Sequence, residues 1–240
     1  MASAHPLQVP WRNGYPTSDG KPMAETDWHR DLMNWLIETL KVFYARQQRI
    51  YVSGNLLLFY EKGNRRRHVS PDVFVVKGIA KHDRPNYLLW EEGKGPDVVI
   101  ELTSSSTRRE DLVDKLALYR DKLRVKEYFL FDPLGDYLTP PLQGNRLRSG
   151  EFHAIRPVSG RLPSRILGLH LERRGRELRL YNPDTGEVLL TPTETAAQAE
   201  AARRQAESAR MEAETARDNV EAENERLRRE LAALRRRIGH

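Results

Sequence analysis

Two acidic residues lie in apolar stretches that otherwise have the composition of buried β-strands. Asp72 is part of SPDVFVV (70–76), and Glu101 is part of GKGPDVVIELTSSST (93–107). Because side chains alternate along a strand, Glu101 shares a face with Asp97 and lies one step from strongly apolar neighbours. Burying an ionised carboxylate costs on the order of several kcal/mol unless a positive group faces it. The sequence therefore predicts a cation, or a proton, at Glu101.

Three candidates could supply that positive group: a structural Arg or Lys, a bound metal ion, or protonation of the acid itself. Asp72 begins a second apolar strand, so two acids from neighbouring strands could converge on one ion. Ligation by oxygen alone is typical of Mg²⁺ or Mn²⁺. Lys115 lies on the otherwise apolar face of the helix predicted at 107–123 and could point inward. Its alternatives are snorkelling to solvent or an i, i+4 pair with Asp111.

Short strands and amphipathic helices are predicted to position these residues. The segment 26–45 has apolar residues at helical spacing, with Thr26 or Asp27 as its N-cap. The runs IYVSGNLLLFYE, SPDVFVVKG, DVVIELT and EYFLFD are rich in β-branched and aromatic residues, which predicts strands of one sheet. GEFHAI and RELRLYNPDTGEVLLT predict further strands on the same domain, with a turn at NPDTG.

Composition narrows the class of protein. The 240 residues suffice for one domain with an appendage, and the absence of cysteine excludes disulfides and thiolate metal sites. No secretory leader and no 18-residue apolar stretch is evident, so we expect a soluble, cytoplasmic protein with no membrane partner. Net charge is +6, and the segment from 193 onward has ten arginines and ten acids, so the excess lies in 1–192. That excess permits an anionic partner.

The segment 193–240 predicts a coiled-coil helix. Its apolar residues alternate in steps of three and four, with one stutter between 220 and 227. The first half of this seam is lined by alanine, which buries little area, so a single solvated helix is the alternative. We predict a homodimer through this helix and leave a parallel or antiparallel orientation open. The predicted organisation is an irregular lead-in at 1–24, a domain at 25–192 that contains these strands and helices, and the coiled coil at 193–240.

At the acidic strands the sequence resembles a known family. SPDVFVV, PDVVIELTSSSTRREDLVDKLALY and VKEYFLFDP together resemble the core of the Uma-type putative restriction endonucleases, formerly a domain of unknown function in the PD-(D/E)xK superfamily. The resemblance covers roughly residues 25–190. It implies an α/β fold with a restriction-endonuclease-like core, in which a central mixed β-sheet is flanked by helices.

The resemblance also implies roles for individual residues. Asp72 and Glu101 would ligate the metal, Mg²⁺ or Mn²⁺. The strict pattern has lysine at position 103, where this chain has Thr103, and Lys115 on the following helix would take its place. Two further acids are weaker matches: Glu38 on the first helix, as an accessory acid, and Asp97. Among the seven histidines, only His68 is expected near the site.

The implied chemistry is metal-dependent hydrolysis of phosphodiester bonds in nucleic acid, with DNA as the expected substrate. Basic loops such as Arg65–Arg67 would contact the nucleic-acid backbone without reading its sequence. The alternative function is a catalytically inactive nuclease-fold protein that binds nucleic acid or acts as a scaffold, dimerising through its coiled coil. An ion pair of Lys115 with Asp111 would favour that alternative.

Overall fold

The computed structural model describes residues 11–17, 26–103 and 110–238 of the chain. Two compact units are present, Met1–Thr191 and Pro192–His240. The second unit contains one long helix. None of the helices in the described ranges combines the length and the apolar character needed to cross a membrane.

Fifteen short strands are present in the described part of the chain, and all of them belong to the first unit. Most pairings are antiparallel, and the strands form four sheets. They are β1 (Trp11–Arg12), β2 (Tyr15–Pro16), β3 (Ile50–Ser53), β4 (Leu58–Phe59), β5 (His68–Val69), β6 (Val73–Lys77), β7 (Tyr87–Leu88), β8 (Val98–Leu102), β9 (Glu127–Phe131), β10 (Leu142–Arg148), β11 (Glu151–Ala154), β12 (Leu162–Ser164), β13 (Leu169–Arg174), β14 (Glu177–Asn182) and β15 (Glu187–Val188).

The helices are α1 (Asp27–Phe43), α2 (Leu89–Glu92), α3 (Lys115–Ala117) and α4 (Pro192–Ile238). The helix α1 confirms the prediction from periodicity, and its N-cap is Thr26, whose Oγ1 accepts a hydrogen bond from the His29 N–H at 3.2 Å. The short α3 is flanked by π-helical turns at Glu110–Asp114 and Leu118–Lys122. The amphipathic helix predicted at 107–123 is therefore present over its described part, with wider turns than an α-helix. Thr107 lies outside the described residues.

The central sheet has six strands in the order β11-β10-β9-β8-β6-β3. Strands β8 and β9 are parallel, and the other neighbours are antiparallel, so the sheet is mixed as predicted. Both faces are covered. One apolar layer contains α1 and strands β12–β14, and the other contains residues from the helical stretch around α3. Burial on both faces explains why β6 and β8 are nearly continuous apolar runs.

One strand prediction was wrong in its extent. The run IYVSGNLLLFYE forms two strands in different sheets, because β3 belongs to the central sheet and β4 pairs with β5 and β7. The chain breaks at Gly54, where a Cβ atom would lie 1.9 Å from the carbonyl oxygen of Asp72. Asn55 follows with a φ of 48°. Only glycine permits the backbone to pass this close to the start of β6.

The remaining strand predictions are confirmed. SPDVFVVKG, DVVIELT and EYFLFD form β6, β8 and β9, and GEFHAI forms β11. The NPDTG turn joins β14 to β15, which pair antiparallel within the four-stranded sheet β12-β13-β14-β15. These strands pack their apolar residues against α1, in the same unit as the central sheet.

Candidate active site

The pairing of β6 with β8 brings the two acids together. The antiparallel register pairs Val73 with Ile100, and one further step along the ladder puts Asp72 opposite Glu101. Residues directly opposite in an antiparallel pair share a face of the sheet. Each carboxylate also binds the backbone of the other strand. The Leu102 N–H donates to Asp72 Oδ2 at 2.7 Å, and the Asp72 N–H lies 3.4 Å from Glu101 Oε2.

Two residues from the helical stretch after β8 hold the carboxylate of Glu101. Lys115 Nζ lies 3.1 Å from Oε2, and the Tyr119 hydroxyl donates to Oε1 at 2.5 Å. The two side chains are four residues apart, so they extend from the same face of the helical stretch. Glu101 is fully buried and Lys115 is only 14% exposed. Burial, together with the adjacent Glu101 carboxylate, raises the pKa of Tyr119 well above its ordinary value, which keeps its hydroxyl a donor.

The first turn of α1 contributes a residue that the sequence analysis missed. His29 Nε2 lies 3.4 Å from Asp72 Oδ1. The predicted neighbour, His68, instead has its Nδ1 3.0 Å from the carbonyl oxygen of Arg65. Sequence proximity to Asp72 favoured His68, whereas the packing of α1 against the sheet selects His29. The position of His29 just after the N-cap Thr26 was the one available signal, and it gives no information about tertiary contacts.

Position 103 has no amine. Thr103 is buried, its N–H donates to the Phe131 carbonyl oxygen at 2.8 Å, and its hydroxyl hydrogen-bonds the Tyr137 hydroxyl. The amine nearest to Glu101 in the described structure is that of Lys115, at the carboxylate oxygen Oε2. The alternative of snorkelling is therefore wrong for Lys115. The alternative partner, Asp111, has a side chain outside the described part of the chain.

Two other predicted candidates lie apart from this cluster. Asp97 precedes β8, at the opposite end of the strand from Glu101, and both of its oxygens bind lysines: Lys94 Nζ at 2.8 Å and Lys126 Nζ at 2.8 Å. Glu38 is exposed on α1, where it pairs with Lys41 at 2.8 Å. The structure therefore brings Asp72, Glu101 and Lys115 together and leaves Asp97 and Glu38 outside.

The donor set suits a hard divalent ion. Asp72 is 14% exposed, so its carboxylate reaches the surface, while its neighbour Glu101 is fully buried. Magnesium commonly uses one or two carboxylates and completes its octahedron with water and substrate phosphate oxygens. In the described ranges no group of three or more His, Asp or Glu side chains has the geometry of a metal site. Asp72 and Glu101 fit a largely hydrated ion rather than a closed protein cage.

Comparison with known proteins defines the class. The sequence model of the Uma2 family, described as putative restriction endonuclease, matches residues 15–203. The chain belongs to this family. Membership in this family supports a nuclease. In this chain the two acids lie on neighbouring strands of a mixed α/β fold.

One solved structure similar to the chain is a putative nuclease belonging to DUF820 from Anabaena variabilis ATCC 29413. The two share 17% sequence identity with a TM-score of 0.45, over 65% of this chain and 85% of that one. Among curated proteins, none matches the chain.

Proposed function

We propose that the protein is a metal-dependent endonuclease that hydrolyses phosphodiester bonds of nucleic acid, with DNA as the substrate. One observation carries this proposal: Asp72 and Glu101 are bound to each other's strands, and Lys115 lies 3.1 Å from Glu101 Oε2. Two carboxylates held side by side by the strand pairing are the kind of oxygen ligands that a divalent cation takes. Family membership supports the same class of reaction.

Each residue has a distinct role in this proposal. Asp72 and Glu101 would hold Mg²⁺ or Mn²⁺, which when bound polarises a phosphate and lowers the pKa of a water. Lys115 would position the attacking water or offset charge developing on the phosphate oxygens. Tyr119 fixes the rotation of the Glu101 carboxylate by occupying Oε1, which leaves Oε2 toward Lys115 and Asp72.

The hairpin that precedes Asp72 supports an anionic substrate. Strands β4 and β5 enclose an exposed basic segment, and Asp72 lies five residues after its last arginine, Arg67. The exposed cations of this segment are Lys62, Arg65, Arg66 and Arg67. An open cleft lined in part by Arg65 and Arg66 adjoins Tyr15 and Asn64. Such contacts fit a phosphate backbone and carry no sequence information, so we expect no strict recognition sequence.

A second candidate function is a catalytically inactive nucleic-acid-binding or scaffolding protein. It is favoured by the basic partner that each acid already has, since His29 lies beside Asp72 and Lys115 beside Glu101. In both functions we propose a homodimer through the helix of 193–240, because its apolar residues are exposed. The boundaries at residues 25 and 192 and a cytoplasmic location stay predictions.

Cleavage of supercoiled plasmid DNA tests the proposal. We expect nicked or linear product with Mg²⁺ or Mn²⁺, none with EDTA, and none from Asp72→Asn. The matched control is Asp83→Asn, which changes an exposed acid outside both site strands and should cleave like the wild type. DNA binding without cleavage in either metal would reject the endonuclease and favour the scaffold. A parallel assay on RNA of the same sequence identifies the nucleic acid.

A further inference from the structure

The long helix α4 has an apolar stripe whose side chains are exposed to solvent. It runs without a break from Pro192 to Ile238, and every residue from Thr195 to Arg236 is exposed. The large apolar side chains remain 52–58% exposed in its second half: Val220, Leu227, Leu231 and Leu234. A polar helix of this length with a continuous apolar seam is typical of a coiled coil whose partner helix is a second chain.

The seam defines the heptad positions on either side of the stutter. In the second half, Asn224 and Leu231 fall at a positions, and Leu227 and Leu234 fall at d positions. In the first half, alanines occupy both kinds of position. These assignments also identify the flanking e and g positions. The charges at e and g determine whether two identical helices are favoured in a parallel or an antiparallel orientation.

The two flanking rows have opposite character. One row, at e, consists entirely of arginine: Arg203, Arg210, Arg217, Arg228 and Arg235. The other row, at g, is neutral or acidic through the same heptads: Gln198, Gln205, Glu212, Glu223 and Glu230. In a parallel dimer each g residue faces the e residue five positions later on the partner, so every arginine of the e row meets a glutamine or glutamate.

An antiparallel dimer of the same helix would pair each row with itself. With the leucines overlapped, Arg228 would face the second chain's Arg235, and Glu223 would face its Glu230. Like charges placed opposite each other are a recurring device against wrong pairings. The antiparallel arrangement would also oppose Asn224 to Leu234, leaving a buried amide against an apolar side chain, whereas a parallel arrangement opposes Asn224 to its own copy.

We infer that α4 forms a parallel, in-register, two-stranded coiled coil with a second copy of this chain. The inference builds on the homodimer proposed above and specifies its geometry. The groove that would receive the second helix is lined by Asn224, Leu227, Arg228, Leu231, Ala232 and Arg235. The first unit joins the helix at Pro192, so a parallel coil attaches both copies of that unit at the same end of the coil.

Disulfide trapping tests this orientation in the full-length protein. The chain has no cysteine, so one introduced thiol per chain gives an unambiguous product. We expect Ala202→Cys and Leu234→Cys each to form covalent dimers alone under mild oxidation. The matched control Arg204→Cys lies on the opposite side of the helix from Ala202 and should cross-link at least tenfold less. Leu227→Cys and Leu231→Cys, which face each other in the antiparallel register above, should likewise each cross-link alone. Covalent dimers that form only when these two proteins are mixed would establish an antiparallel coil and overturn the inference.

Charge reversal gives an independent test. The double change Arg228→Glu and Arg235→Glu should weaken the dimer at least tenfold in sedimentation equilibrium, and adding Glu223→Arg and Glu230→Arg should restore it. An antiparallel dimer would show no such loss, because the change replaces one like-charge pair with another. A wild-type chain that stays monomeric at micromolar concentration would also overturn the inference. None of these measurements needs cleavage, so an inactive but dimeric protein would reject only the nuclease proposal.

Discussion

The two ends of strand β8 each carry a buried acid, and the two acids differ in the groups that surround them. At the start, Asp97 binds the amines of Lys94 and Lys126 and the N–H of Lys77, at 2.8, 2.8 and 2.7 Å. At the end, Glu101 lies beside a second acid, Asp72, from the neighbouring strand, with Lys115 and His29 next to the pair. Asp97 is therefore a single acid bound by two lysines, whereas the other end brings two acids together.

The difference separates a structural ion pair from a candidate site. Burial alone would raise the pKa of Asp97, but the hydrogen bonds from Lys126, Lys94 and the Lys77 N–H hold it below its ordinary value. That acid is neutralised within the fold and needs nothing further. At the other end two carboxylates from neighbouring strands lie side by side and one of them is partly exposed, where a metal ion would bind both. Exchanging acids for amides at the two ends tests this contrast.

The largest expected effect is that of Glu101→Gln. Loss of this carboxylate should reduce plasmid cleavage by about 10³-fold, which is the size of effect expected when one electrostatic group is removed from an active site. Thermal stability should fall as well, because the largely buried Lys115 amine then faces a neutral amide, so cleavage is compared per folded molecule. Single-turnover cleavage and thermal unfolding of the same preparation check both parts. Cleavage within threefold of the wild type would remove Glu101 from the site.

Replacing Lys115 by Met should reduce cleavage by about 10²-fold at saturating metal, because the side chain keeps its length and loses the charge near the phosphate. Lys126→Met is the matched control: this lysine is 57% exposed and binds the acid at the other end of β8. We expect the control to cleave like the wild type. Equal activity of both variants would mean that Lys115 only neutralises Glu101.

The reverse pattern is expected for Asp97→Asn. Loss of this carboxylate leaves Lys94 and Lys126 facing an amide, which should cost about 2 kcal/mol of unfolding free energy, below the range for fully buried pairs because both lysines are partly exposed. Urea unfolding measures this loss, and cleavage per folded molecule should stay unchanged. A large loss of cleavage without loss of stability would place Asp97 in the active site after all.

The lowered pKa of Asp97 also predicts how the stability difference between wild type and Asp97→Asn changes with pH. The folded-state pKa of Asp97 lies below that of the unfolded chain, so its ion pairs stabilise the fold fully above the unfolded value, near pH 4. Their contribution disappears as the pH falls through the folded-state pKa. The stability difference between wild type and Asp97→Asn should therefore be constant above about pH 5 and shrink in more acidic urea titrations.

The smallest expected effect is that of Tyr119→Phe, which removes only the hydroxyl that holds Glu101 Oε1. We expect about a tenfold loss of cleavage and a weaker apparent affinity for Mn²⁺, because the carboxylate can then rotate. Tyr44→Phe is the matched control, since that buried hydroxyl donates to the Leu167 carbonyl oxygen at 2.6 Å. Both changes should cost about 1 kcal/mol of stability. A similar effect of both on cleavage would make Tyr119 structural only.

Much of the fold could be predicted from sequence because its signals are local. The helical spacing around Leu36 predicts α1, and the runs that contain Val75 and Val99 predict β6 and β8. The antiparallel pairing that places Asp72 opposite Glu101 required the structure, because strand order is a tertiary property. The break of IYVSGNLLLFYE at Gly54 was also missed, since its cause is the backbone of Asp72, 18 residues further along the chain.

The site itself could be predicted in part. Lys115 was found because an amine interrupts an apolar helical face, which is a readable pattern. His29 and Tyr119 gave no comparable signal: a histidine in a first turn is ordinary, and a tyrosine on an apolar face is usually core. Asp97 shows the opposite case, in which alternation on one strand face placed an acid with Glu101 although lysines from other segments neutralise it.

The reciprocal bonds between Asp72, Glu101 and the two strand backbones make the geometry of the acids independent of what joins the strands. The connection from β6 to β8 can lengthen or shorten without altering the distance between the carboxylates, as long as the ladder itself keeps its pairing. A slip of the ladder by one residue, in contrast, would turn one acid to the far face and abolish the pair in a single step. Insertions in the connection should therefore preserve nuclease activity, whereas a one-residue insertion within either strand should abolish it.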